Sequence, residues 1–230
     1  MIRLSRRSVG VTVGLTVLAL SGCGVNFYSG RPSDVKQIQD LKAEVERLKA
    51  QKSAETQQLR DAKALLEQRL QQEISDQQVK LEMAERGLVI TFVAEILFDS
   101  GKAALRPEAH DALAKVAQVI KEKVADRNIG VEGYTDNQPI KHSGWKSNWE
   151  LSTARATSVI HFLESQGLDP RQLSATGYGE HRPVASNESA AGRQKNRRVE
   201  IVILPKKLTK QETDLLRRAE RLGVSTSELK

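Results

Sequence analysis

Residues 133–155 read GYTDNQPIKHSGWKSNWELSTAR, and the fold follows from how this stretch divides. Ile129 to Gly133 is a short apolar run of strand type, so Asp136 falls just past a strand's end, where loop residues build sites. Downstream, Leu151, Ala154, Val159, Phe162 and Leu163 recur at helical spacing. Asn148 therefore opens a helix as its N-cap or close to it, and Gly167 supplies a C-cap signal. On that helix Asn148, Ser152 and Arg155 share one face. An acid on one side and a base on the other suit a ligand carrying both an ammonium and a carboxylate. A guanidinium fork matches a carboxylate, and an aspartate accepts from an ammonium. Plainer roles fit the same residues: Asp136 capping a turn, and Arg155 as a solvated charge or a partner of Glu150 or Glu132.

Outward from this stretch the pattern is that of an α/β domain. Leu88-Val89-Ile90-Thr91-Phe92 is a strand, which Ala94 to Phe98 extends or pairs with. Phe98-Asp99-Ser100-Gly101 is a loop, and Pro107 introduces a helix whose apolar face is Leu113, Val116, Ala117, Ile120 and Val124. Leu173 to Thr176 is a short strand, Gly177-Tyr178-Gly179 a turn, and Val199 to Leu204 the closing strand, with a small helix near Ser189 to Gln194. The order β-α-β-α-β-β over 87–205 predicts one sheet with helices packed on it.

Upstream, Ser33 to Arg86 contains neither Gly nor Pro and is rich in helix formers. Ile38, Leu41, Val45 and Leu48 follow a heptad-like spacing that continues at Leu59, Ala62 and Leu66. Lys52 and Glu55 weaken its middle, and the spacing of Leu66, Leu70 and Ile74 makes a stutter before Leu81. Residues 33–86 are thus expected to form a coiled-coil stalk of roughly 80 Å, at ~1.5 Å per residue, that makes a homo-oligomer. A monomeric charged helix is the alternative.

At the front, Arg3, Arg6 and Arg7 precede an uncharged run, Val9 to Leu20, and then Leu20-Ser21-Gly22-Cys23. This is the layout of a secretory signal over residues 1–22, too short for a membrane span. Leu20 to Cys23 resembles a bacterial lipobox, which implies a lipid on Cys23 and a tether over 23–32. Gly24 stands where a retention aspartate would be, so an outer-membrane anchor is expected, with the domain in the periplasm. The run carries no acid of the kind a proton-conducting stator helix needs.

Composition agrees with an elongated, secreted chain. Aromatic residues make up 4% of 230, and mean hydropathy is −0.46. The formal charge is +7, three positives of which lie in the leader, leaving a mild excess for anionic surfaces. Cys23 is the sole cysteine, which excludes an intrachain disulfide and any multi-cysteine metal site.

In order, Phe98-Asp99-Ser100, Gly133-Tyr134-Thr135-Asp136, Asn148-x-x-Leu151-Ser152-x-x-Arg155-Ala156, Gly177-Tyr178-Gly179 and Gly192-Arg193-x-x-Asn196-Arg197-Arg198-Val199-Glu200 resemble the OmpA C-terminal family, closest to its MotB-like branch. The resemblance covers about 87–204. It implies non-covalent binding of peptidoglycan through the diaminopimelate of the stem peptide, with Asp136 on the ammonium and Arg155 on the carboxylate. It also brings Thr135, Asn148, the loop around Asp99, and Arg197 to the pocket wall. The loop Pro139 to Ser147 departs from the shorter family pattern. There Lys141, His142, Trp145 and Lys146 either touch ligand, or Trp145 and Trp149 pack the loop onto the helix.

No Ser/His/Asp order, zinc spacing or glycosidase pair stands out, so a binding protein without cofactor is expected rather than an enzyme. Arg193 to Arg198 lacks interleaved aromatics, which argues against nucleic acid as a partner. Residues 206–230 extend beyond the domain. Thr209-x-x-Glu212 is a capping-box pattern, and Leu215, Leu216, Ala219 and Leu222 form an apolar stripe ended by Gly223. This amphipathic extension packs on the domain, or it binds a partner or an anionic surface.

Overall fold

The structure is a computed structural model that describes residues 32–141 and 144–229. The leader, Cys23 and the tether up to Arg31 lie outside the described residues, as do His142 and Ser143. Among the described residues, five strands form one sheet in the order β1-β2-β5-β3-β4. They are β1 (Val79–Ala84), β2 (Gly87–Val93), β3 (Ile129–Tyr134), β4 (Leu173–Gly177) and β5 (Arg198–Ile203). The β3–β4 pair is parallel and the other three pairs are antiparallel.

Alternation sorts the two faces of the sheet. Leu88, Ile90 and Phe92 of β2, Ile129 and Val131 of β3, and Val199, Ile201 and Ile203 of β5 all enter the main core. That core is closed by α4 (Ala109–Lys123) and α5 (Asn148–Ser165), whose Leu113, Val116, Ala117, Ala156, Val159 and Leu163 are buried against it. The opposite face places Glu132 directly across from Glu200, a like-charge pair that would repel. Arg86, in the β1–β2 hairpin turn, pairs with both, and Arg198 donates to Glu200 at 2.6 Å while lying 3.6 Å from the Tyr134 ring centre. The expected β-α-β-α-β-β order over 87–205 is therefore present, with α6 (Ala190–Asn196) as the small helix before β5. Ala94–Leu97 neither extends nor pairs with β2. It is a single helical turn, α3.

Upstream the structure corrects the stalk. Helix α1 runs Pro32–Arg69 and a short α2 (Gln71–Ser75) follows, so the helix does not reach residue 86. Gln77 takes a left-handed φ of 58°, the chain reverses, and 79–84 becomes an edge strand. Its Val79, Leu81 and Met83 face the core while Lys80 and Glu82 face out, a period of two that the helix-favouring composition concealed. The apolar seam of α1 is also covered within the chain. Leu59, Ala62, Leu66 and Leu70 join the main core beside α4, where Arg69 pairs with Glu122 at 2.8 Å. Val45 and Leu48 pack instead on Leu216 and Ala219 of α7 (Lys210–Arg221), with Val224 and Leu229 beyond it. The seam breaks between these two clusters, where Lys52 and Glu55 fall. The positions assigned to a partner helix are thus filled intramolecularly, and the tail docks on α1 rather than on the sheet domain. Thr209 and Glu212 form the expected capping box, and Leu222 stays exposed.

One contact sets the placement of α5. A Cβ on Gly133 would lie 2.1 Å from the Ser152 carbonyl oxygen, and one on Gly177 2.1 Å from Thr153 Oγ1. Helix backbone meets the strand at Gly133, and the short side chains of Ser152 and Thr153 fill the space over Gly177. Gly133→Ala is expected to destabilise the domain by ~3 kcal/mol through overpacking, measured by urea unfolding; an unchanged midpoint would contradict this contact. Truncation after Lys206 uncovers Val45 and Leu48. Amide exchange in 36–50 should then rise to the rate of an isolated helix, while β2, β3 and β5 keep their protection. Unchanged exchange in 36–50 would show that α7 does not hold α1.

Candidate functional site

Asp136 sits two residues past β3 and is nearly buried. Its Oδ1 accepts from the Gln138 N–H at 3.1 Å, so it does cap a turn. Its Oδ2 accepts from Arg197 Nη1 at 2.7 Å, so it is also one half of an ion pair. Thr135 braces this turn from behind: its N–H donates to Gly179 O at 2.9 Å and its hydroxyl to Asp136 O at 2.9 Å. Ser147, in extended conformation, occupies the N-cap position of α5 without a side-chain capping bond, and Asn148 is the first helical position. The Asn148 amide donates to Gln138 O (3.1 Å), Asp136 O (3.4 Å) and Glu180 Oε2 (2.7 Å). It ties the loop after Asp136 to the helix start. Ser152, fully buried, accepts from Gly179 N–H at 3.0 Å and fixes the opposite side.

Arg155 lies one turn further along α5 and is 4% exposed. It partners neither Glu150, which accepts from the Lys146 N–H, nor Glu132, which holds Arg86. Its Nε donates to Lys102 O at 3.0 Å and its Nη2 to Asp99 O at 3.4 Å, with the Phe98 ring centre 5.2 Å away. No carboxylate lies within ion-pair distance among the described residues. Burial pushes its pKa down to about 10; the Glu95 and Asp136 charges oppose that shift and Arg197 reinforces it. The group stays charged at neutral pH and is under-compensated. A lowered cation pKa means that the folded state penalises the charged form, so an anion bound here relieves that penalty.

Arg155 and Asp136 line one cavity of about 880 Å³, with Arg197, Asn148, Thr135, Gln138, Pro139, Ile140 and the 98–102 loop around it. The pair proposed from sequence is therefore brought together. The loop around Asp99 lies on the cavity wall through Phe98, Ser100, Gly101 and Lys102; the Asp99 carboxylate pairs with Lys102 Nζ at 3.0 Å, and its carbonyl accepts from Arg155. Sequence reasoning missed Glu95. Its Oε1 accepts from Arg197 Nε at 2.6 Å and from Nη2, and its Oε2 is buried with no hydrogen-bond partner. The signal was present, since Glu95 is the one charged residue in the run Leu88 to Leu97. The two tryptophans divide. The Trp145 indole N–H donates to Gly101 O at 2.9 Å and packs its loop on the cavity rim, whereas Trp149 stacks on His181 and remains half-exposed.

The OmpA family model matches residues 97–197. Motility protein B of Bacillus subtilis is 42% identical over 67% of this chain and 59% of its own length. Probable lipoprotein YiaD of Escherichia coli is 38% identical over 51% of this chain and 52% of its own length. A solved structure of the cell wall anchor of the T6SS from Pseudomonas aeruginosa superposes with a TM-score of 0.56 at 35% identity, covering 61% of this chain and 97% of that one. The chain spans about half to three fifths of the curated relatives it matches. The matched segment contains Asp136 just past β3, Arg155 on α5 and, as its last residue, Arg197 just before β5. With a solved relative covered almost end to end, this chain belongs to the OmpA family.

Proposed function

We propose that the domain binds peptidoglycan non-covalently through the diaminopimelate of the stem peptide. The observation that carries this reading is a buried, acid-free Arg155 across one cavity from Asp136. Diaminopimelate offers an ammonium and a carboxylate on one carbon. Arg155 takes the carboxylate with the guanidinium N–H groups that Lys102 and Asp99 leave open, and Asp136 takes the ammonium with its remaining lone pairs. Thr135 and Asn148 hold the Asp136 turn, the carbonyl of Asp99 orients Arg155, and Arg197 forms the wall. Likeness to a T6SS cell wall anchor supports the assignment.

The rest of the chain places this site in the envelope. A lipid on Cys23 would anchor it to the outer membrane with the domain in the periplasm, a reading that the lipobox and the lipoprotein relative support. The spacer is α1, ~57 Å long at ~1.5 Å per residue, with its last third lying against the domain. Its reach is shorter than an 86-residue endpoint would give. Self-association through α1 would have to use faces other than the covered seam. The relatives named for motility and the T6SS support a second reading, in which the same domain is the wall anchor of a larger envelope assembly.

Asp136→Ala and Arg155→Ala should each weaken binding to diaminopimelate-type peptidoglycan by roughly 30-fold or more, measured by sedimentation with purified sacculi. Arg155→Lys, which keeps the charge and loses the fork, should also bind poorly. Undiminished pelleting of both alanine variants would refute the site. For the anchor, mass spectrometry of the mature protein should find an acylated N-terminal Cys23, and Cys23→Ser should leave the membrane fraction. An uncleaved Met1 terminus would refute the lipid anchor.

A further inference from the structure

Asp136 is paired with a cation of the protein itself. Arg197 Nη1 donates to Asp136 Oδ2 at 2.7 Å, which is where an incoming ammonium would compete. Arg197 is not held by Asp136 alone. Its Nε donates to Glu95 Oε1 at 2.6 Å and its Nη2 meets the same oxygen, so two of its three carboxylate contacts are with Glu95. Glu95 comes from α3, the turn between β2 and the 98–102 loop, and is independent of the loop that carries Asp136. Its second oxygen, Oε2, is buried and lacks a partner, so it has acceptor capacity left for a guanidinium that shifts toward it.

We propose that Glu95 is a positioning residue that makes Asp136 available: it retains Arg197 when a ligand ammonium takes over the Asp136 oxygen. This rests on the reading of the cavity as a site for an ammonium–carboxylate zwitterion such as the one in diaminopimelate. With Glu95 present, ligand entry exchanges one hydrogen bond of Arg197 for one of the ligand, and the guanidinium keeps its other anchors. Without Glu95, Arg197 has Asp136 as its one carboxylate in the cavity. A guanidinium and a carboxylate then favour a two-point pair, which an ammonium displaces with difficulty. Arg197 acts in this scheme as an internal stand-in for the ligand's ammonium, and Glu95 sets how tightly it competes.

A double-mutant cycle on the full chain tests this. The probe is a soluble stem peptide containing diaminopimelate, titrated by calorimetry against wild type, Glu95→Gln, Arg197→Gln and the double variant, with thermal unfolding to show that each is folded. Glu95→Gln should weaken binding about tenfold. Arg197→Gln should tighten it severalfold, and the double variant should bind as Arg197→Gln does, with no further loss from Glu95→Gln. A Glu95→Gln loss of the same size whether or not Arg197 is present would overturn the proposal, because Glu95 would then act without Arg197. Loss of binding in Arg197→Gln alone would also overturn it, since Arg197 would then be a ligand contact. If wild type binds and Glu95→Gln is neutral, this inference fails and the site stands. If wild type itself fails to bind the peptide, the reading of the cavity fails with it.

Discussion

Everything in the site depends on how close α5 lies to the sheet. At Gly133 the helix backbone touches the strand directly, and at Gly177 only the small Ser152 and Thr153 side chains lie against it. The Ser152 hydroxyl then reaches the Gly179 N–H, which locks the chain beyond β4 to the same helix. Arg155 follows one turn after Ser152, and Asp136 follows three residues after Gly133. Their relative placement is thus fixed by two close contacts and a short count of residues along rigid elements. The loop between them needs only to close the gap. Its Asn148 and Trp145 pin the ends of that loop to Asp136 O, Gln138 O and Gly101 O.

The fold treats its buried arginines in different ways. Arg198 is matched by an acid on the outer face of the sheet, where it and the exposed Arg86 neutralise Glu132 and Glu200. Arg127, with no exposed side-chain surface, fills the junction under α1 with a 3.0 Å bond to Gln58 and a long contact to Glu55. Arg155 receives carbonyl oxygens only, which orient the guanidinium without neutralising it. A matched arginine adds to stability. An unmatched one stores an unfavourable interaction that a ligand can relieve, and burial of that kind concentrates at functional sites.

The order of elements in the domain, the strand before Asp136 and the helix carrying Arg155 were legible, because alternation and helical periodicity act locally. The stalk was misread for a physical reason. Residues 79–84 lie in a stretch free of Gly and Pro, and the reversal at Gln77 uses a left-handed glutamine, which no turn signature marks. The seam of α1 was legible as apolar spacing, but spacing does not say what covers it. Leu216 and Ala219 come from a helix more than 150 residues away, so the partner of Val45 and Leu48 exists only in three dimensions. Glu95 was missed because side-chain pairing across α3 and the start of β5 is equally non-local. That the loop around Asp99 lies on the pocket wall was legible from the family motif, whereas the hold of its carbonyl on Arg155 is visible only in three dimensions.

The charges that meet at the centre of the cavity have a further consequence. Asp136 and Glu95 balance Arg155 and Arg197, while Lys102 and Lys141 add two positive charges to the same lining. Beyond the Debye length of about 8 Å at physiological ionic strength these fields are screened, so the cavity exerts little pull on distant ions. The chain's overall positive charge, not the cavity, governs the first approach to an anionic polymer. Discrimination is left to contact, where a simple amine meets one matching charge and one opposing charge, as does a simple carboxylate. Only a molecule that carries both signs at the right separation gains from both, which makes the juxtaposition of Asp136 and Arg155 a filter against the abundant monovalent ions around it.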